Sequence, residues 1–116
     1  MNIPSTTDAA ILSKMSDRKQ IKGATVDGPL AFDNAILKES AEHKEIDSFV
    51  AGKADILLLP DLNTANALYK SLVVYSGNQS GAVVMGAKLP LAMSSRADTA
   101  KTKFNGIVLS KLIVSK

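Results

Sequence analysis

Apolar positions change period several times along the chain, and each change marks an element. Ile11, Leu12 and Met15 follow the N-cap choices Thr6, Thr7 and Asp8 at helical spacing, and residues 17–20 close that first helix. Residues 23–26 form a short β-type run, ended by Asp27-Gly28-Pro29, a strong turn signal. Phe32, Ala35, Ile36 and Glu39 stand at i, i+3, i+4 and i+7 and predict a second helix over 32–41. Ile46, Phe49 and Val50 read as a short packing turn. Residues 54–59 are the clearest strand: Ile56-Leu57-Leu58-Leu59 has no polar face, which suits a strand covered on both sides in a parallel sheet. Asn63 or Thr64 then caps a helix whose stripe is Leu62, Ala65, Leu68, Tyr69, Leu72 and Val73. Residues 82–85 are a second continuous apolar strand ending at Gly86, and Leu91-Ala92-Met93 a short one after Pro90. Asp98 or Thr99 caps a last helix with Phe104, Ile107, Val108, Leu112 and Ser115 on one face.

Helices alternating with strands predict an α/β protein with a mostly parallel sheet flanked by helices. The order opens on a helix, where a βαβ sheet normally opens on a strand, so a first strand is expected to be missing.

Composition narrows the chemistry. An apolar fraction of 46% is normal for a folded protein and excludes wholesale disorder. Zero cysteines exclude a disulfide scaffold, a thiolate metal site and a Cys nucleophile, and a single histidine excludes a His-rich metal site. No apolar run reaches the roughly 20 residues of a membrane span, and the first residues show no secretory leader, so the expected compartment is the cytosol. Charge is uneven: eight basic and ten acidic residues precede Lys88, whereas six basic residues and Asp98 alone make up the rest, a net of −2 against +5. That excess suits an anionic partner. With only two arginines among fourteen basic residues, nucleic acid is the weaker choice.

Ligands of open α/β sheets bind at the carboxyl ends of strands. The residues there are Asp27-Gly28-Pro29, Pro60-Asp61, Gly86-Ala87-Lys88 and Ser94-Ser95-Arg96. Ser95 and Arg96 stand just before a helix start, where free N–H groups favour an anion and where a hydroxyl and a guanidinium add donors to phosphate oxygens. Gly86 permits close approach of a ligand to the backbone. In the simpler reading Ser94 and Ser95 only cap the helix and Arg96 makes a surface ion pair. Asp27 and Asp61 suit a substrate-positioning or base role, or more simply a cap or turn. Asp33 lies where a helix favours a carboxylate anyway. His43 reads as a solvated surface residue. No GxGxxG, P-loop or GxSxG is present.

Four collinear runs carry a resemblance: VDGPLAFDNA (26–35), GKADILLLPD (52–61), LYKSL (68–72) and SRAD (95–98). Together they resemble the carboxy-terminal part of the phosphate acetyl/butyryltransferase family, most closely its butyryltransferase branch. The resemblance implies an acyltransferase that exchanges an acyl-coenzyme A and inorganic phosphate for an acyl phosphate and free coenzyme A. It implies an isocitrate/isopropylmalate dehydrogenase-like α/β/α fold of two domains, a homo-oligomer, coenzyme A as substrate and no bound cofactor or metal. It places Ser95 and Arg96 in the cleft, contacting phosphate and coenzyme A, in agreement with the strand-end reading, which sets Ser94 and Gly86 beside them. The acetyltransferase branch carries an Asp seven residues after the Ser, where this chain has Thr102, and an Arg where it has Val73. The general base is therefore unassigned.

Family members are far longer than 116 residues. The resemblance thus implies a fragment: residues 1–82 as part of the second domain and 83–116 as the segment returning to the first. Little turnover is expected of it alone. The alternative is a non-catalytic module that binds a phosphate-bearing ligand or a protein. No nucleic acid and no membrane is expected as partner.

Overall fold

The structure, a computed structural model, describes residues 3–115. It divides into two compact units, one ending at Pro60 and one starting at Asp61. This is a division by packing within the chain, distinct from the assignment of 1–82 and 83–116 to two domains of a larger protein.

The first unit is helical. Helix α1 spans Pro4–Asp17, with Pro4 at its first turn, where a missing N–H costs nothing. Ser16 Oγ accepts the Val26 N–H (2.9 Å), which ties the segment after α1 back onto it. The helix expected over 32–41 is two short ones, α2 (Phe32–Ile36) and α3 (Lys38–His43), broken at the extended Leu37. The cause lies in the backbone. In a continuous helix the carbonyls of Asn34 and Ala35 would accept from residues 38 and 39. Here they accept the N–H groups of Gly52 (2.7 Å) and Ala54 (3.0 Å). Gly52 has φ +78°, and a Cβ there would lie 2.6 Å from Lys38 Cα, so only glycine permits this approach. Asn34, Ala35 and Ala41 are the buried residues of these helices.

The expected parallel sheet is absent among the described residues. Residues 23–26 and 54–59 pair with no strand, and Ile56 and Leu58 are 84% and 79% exposed. Among the described residues the one sheet is a two-stranded antiparallel hairpin, β1 (Val83–Val84) and β2 (Leu91–Ala92), with Val83 opposite Ala92 and Val84 opposite Leu91. A strand is defined by the ladder it joins. The apolar run at 54–59 finds no second strand among the described residues to join.

The second unit opens with α4 (Leu62–Lys70), capped by Asp61: Oδ1 accepts the Thr64 N–H and Oδ2 the Thr64 hydroxyl, each at 2.9 Å. The cap is thus Asp61, ahead of the expected Asn63 or Thr64. Helix α4 runs into a π-helical turn, Ser71–Tyr75. After the hairpin comes α5 (Ala100–Val114), capped by Thr99, whose hydroxyl accepts the Thr102 N–H (3.2 Å). The face of α5 that packs differs from the expected one. Phe104, Ile107 and Leu112 are largely exposed, and the buried positions are Thr102 and Gly106. Gly106 explains this: a Cβ on it would lie 2.9 Å from the Ala82 carbonyl oxygen, so helix and hairpin backbones meet where no side chain intervenes.

Candidate functional site

Residues 94–98 lie in the loop between β2 and α5. Ser94 is exposed, Ser95 half-buried and Arg96 exposed at the tip of a turn. The turn closes reciprocally. The Asp98 N–H donates to the Ser95 carbonyl (3.1 Å), and the Ser95 N–H donates to Asp98 Oδ2 (2.7 Å). Asp98 is therefore not the cap of α5, which Thr99 supplies; its carboxylate faces back into the loop.

The Asp98 side chain is 6% exposed, and its other oxygen, Oδ1, lies 3.8 Å from Lys70 Nζ at the end of α4. Lys70 Nζ also stands 5.2 Å from the centre of the Tyr69 ring. The Tyr69 hydroxyl shares a hydrogen bond with Ser80 Oγ (3.1 Å), and Asn105 Nδ2 donates to the Ser80 carbonyl (3.0 Å). A continuous set of polar contacts thus ties α4, the start of the hairpin and α5 to the loop. Among the described residues Arg96 forms no ion pair, so its guanidinium is not engaged as the simpler reading supposed.

The structure brings Ser94, Ser95 and Arg96 together but sets Gly86 apart. Gly86 follows β1 in the hairpin loop, with φ +104° and open space around it. Carboxyl ends of parallel strands share one edge of a sheet, whereas those of antiparallel strands point opposite ways. Gly86 and Ser94 each follow a strand by two residues and so stand at opposite ends of this hairpin.

Asp27, Asp33 and Asp61 are anchors. The Ser48 hydroxyl, followed by the Gly28 N–H and the Ser13 hydroxyl, holds Asp27 below the usual carboxylate range. Asp61 is lowered by the Thr64 N–H and hydroxyl that it caps. Asp33 is lowered to about 2 by the Ser40 hydroxyl and then by Lys44. Ser40 also donates to Asn34 Oδ1 (3.0 Å), and Lys44 Nζ reaches both Asp33 Oδ2 (2.9 Å) and Asn34 Oδ1 (2.8 Å). A general base near neutral pH needs a raised pKa, and these shifts run the other way. His43 is exposed in the last turn of α3. Two surface hollows of the first unit, one along Leu37, Ser40 and His43 and one along Asp17, Ile21 and Gly23, do not include the 94–98 loop.

Sequence reasoning missed Lys70, Tyr69, Ser80 and Asn105. Two of them, Tyr69 and Lys70, lie within the LYKSL run, which was the one available signal. Ser80 and Asn105 are 25 residues apart and carry none.

Comparison with known proteins matches residues 2–111 to the family model described as phosphate acetyl/butaryl transferase. The chain is 50% identical over 115 residues to a phosphate butyryltransferase of Clostridium beijerinckii, covering 99% of this chain and 38% of that protein. It is 54% identical over 108 residues to a phosphate acetyltransferase of Thermotoga maritima, covering 93% and 37%. The crystal structure of a branched-chain phosphotransacylase from Enterococcus faecalis matches with a TM-score of 0.81 at 32% identity, over 94% of this chain and 39% of that one. The chain thus spans less than two-fifths of the length of each.

Proposed function

Because the chain belongs to the phosphate acetyl/butyryltransferase family, we propose that it is the carboxy-terminal part of a phosphate acyltransferase. In the reaction a phosphate oxygen attacks the thioester carbonyl of an acyl-coenzyme A. The C–S bond breaks, the acyl group leaves as acyl phosphate, and the sulfur takes up a proton as free coenzyme A. This chain contributes Arg96, whose guanidinium holds phosphate oxygens, and Ser95, which adds a donor beside it, with Ser94 at the edge. Gly86 belongs to the same site only if another part of the protein brings the hairpin loop to it. The base stays unassigned: Thr102, at the relevant position, is buried and bonded to Thr99.

The observation that carries this reading is the 94–98 loop. It presents a guanidinium with no ion-pair partner among the described residues, on a backbone fixed by a buried carboxylate. The test is a titration of coenzyme A and phosphate against the chain and its Arg96→Ala variant. Loss of binding in the variant supports the site, and unchanged binding removes it.

The whole site needs more than this chain. Its accessible surface is 9329 Å². Two separate folded bodies sharing its 12.2 kDa would expose only about 7,300 Å². The surplus of about 2,000 Å² is what an obligate interface buries. We therefore read residues 1–82 as part of the second domain and 83–116 as the segment returning to the first in an isocitrate/isopropylmalate dehydrogenase-like fold. The surplus face is covered by the rest of that fold and by a second copy in a homo-oligomer of the cytoplasm. Light scattering that finds a monomer at high concentration would count against the self-association. No helix among the described residues is long and apolar enough to cross a membrane. The isolated chain should turn over little or not at all. The span of under two-fifths of its relatives favours a second reading, a non-catalytic module that binds a phosphate-bearing ligand or a protein partner. Butyryl phosphate formation by the chain alone would exclude it.

A further inference from the structure

We infer that Asp98 is a positioning residue: it clamps the loop that carries Ser95 and Arg96 by accepting the Ser95 N–H, and Lys70 holds its second oxygen. The inference deepens the proposed function, since it takes Ser95 and Arg96 as the anion site. Three observations carry it.

A carboxylate one residue ahead of a helix cap would ordinarily serve the helix. Here Thr99 does that, and Asp98 is left for another task. Its Oδ2 and its own N–H engage the N–H and carbonyl of one residue, Ser95, at 2.7 and 3.1 Å. That ring leaves only Arg96 and Ala97 at the turn tip and so fixes where the guanidinium is carried. Finally, a carboxylate that is 6% exposed is costly unless it is paired, and Lys70 Nζ at 3.8 Å is the cation that faces it. A negative charge beside an anion site would repel the ligand if it faced outward. Buried, paired with Lys70 and turned onto the Ser95 amide, Asp98 organises the loop without opposing what the loop binds. One corollary is specific: the Ser95 N–H is already taken, so Ser95 offers a ligand its hydroxyl.

The test uses the full 116-residue chain, with amide hydrogen exchange read at Ser95 and at Thr102 as internal control, beside a coenzyme A titration. Asp98→Ala should speed Ser95 exchange about tenfold, leave Thr102 protected, and weaken coenzyme A binding about fivefold. Asp98→Asn keeps an acceptor oxygen in the same shape and should restore most of both. Lys70→Met should loosen Ser95 less than Asp98→Ala does. Unchanged Ser95 exchange in Asp98→Ala overturns the clamp, as does an Asn variant no better than Ala. If Asp98→Ala fails to fold, Asp98→Asn and Lys70→Met carry the same reading through the Ser95-to-Thr102 exchange ratio. Failure of the underlying site is separate: it appears as unchanged coenzyme A binding in Arg96→Ala while the exchange results stand.

Discussion

The two units of the chain employ carboxylates in opposite ways. In the first, Asp33 takes two side-chain donors, Ser40 and Lys44, that also share the buried Asn34, and the cluster closes on itself. In the second, Asp98 takes one main-chain N–H and one distant ammonium and leaves the neighbouring Arg96 outside the set. The first arrangement fastens α2 to α3, two helices too short to hold themselves. The second fastens a loop and leaves a cation on display. A charge that is answered within the chain is architecture. A charge held in place and left unanswered is where a ligand is expected.

The contrast is broken most sharply at glycines. Gly52→Ala places a Cβ at φ +78° and 2.6 Å from the Lys38 backbone, and should cost about 3 kcal/mol in urea unfolding, with the loss registered in resonances of α2 and α3. Gly106→Ala meets the Ala82 carbonyl at 2.9 Å but gains helix propensity, and should cost about 1–2 kcal/mol, read at the hairpin and α5. Next comes the division of labour at the start of α5. Thr99→Ala should remove about 1 kcal/mol of stability and fray the helix in far-UV circular dichroism, whereas Asp98→Asn should leave helix content unchanged.

Acid sharpens the same comparison. The folded Asp33 carboxyl titrates at about 2, below its unfolded value near 3.8, so its contribution is complete above about pH 4 and fades as pH falls toward 2. Melting curves of the native chain and Asp33→Asn should accordingly converge between pH 4 and pH 2. The smallest effect belongs to the exposed Lys38–Glu42 pair (3.2 Å): Lys38→Ala should change stability by less than about 0.5 kcal/mol.

What the sequence could say follows from range. Helices α1, α4 and α5 were legible because their periods are local, even where the starts moved: α1 begins at Pro4 with no side-chain cap, so the expected caps Thr6, Thr7 and Asp8 lie inside it, and the cap of α4 is Asp61 rather than Asn63 or Thr64. The strands at 82–85 and 91–93 were legible as segments, but not their antiparallel pairing. Residues 54–59 show the limit. An apolar run declares that it wants cover, and it cannot declare that the cover lies in the same chain. The break at Leu37 was hidden for a similar reason, since it depends on Gly52 and Ala54 taking carbonyls from far along the sequence. At the proposed site, the sequence singled out Ser95 and Arg96 from chemistry next to a helix start, and the structure places them on a turn ahead of α5. The contacts of Asp98 could not be read there, because a residue that caps and one that bonds back to Ser95 look alike until the hydrogen bonds are traced.

The π-helical turn at Ser71–Tyr75 sets the azimuth at which the chain leaves α4. Its rings hold one residue more than α-helical ones. A one-codon deletion within it has a ready helical solution: the bonding reverts to i→i+4, and everything beyond is turned by about 100° and drawn back about 1.5 Å. The helix would survive such an edit. Ser80, which Asn105 also holds and which moves with it, would be swung away from the Tyr69 hydroxyl. A genetic change that leaves helicity intact would thus disconnect α4 from the segment that leads to the loop.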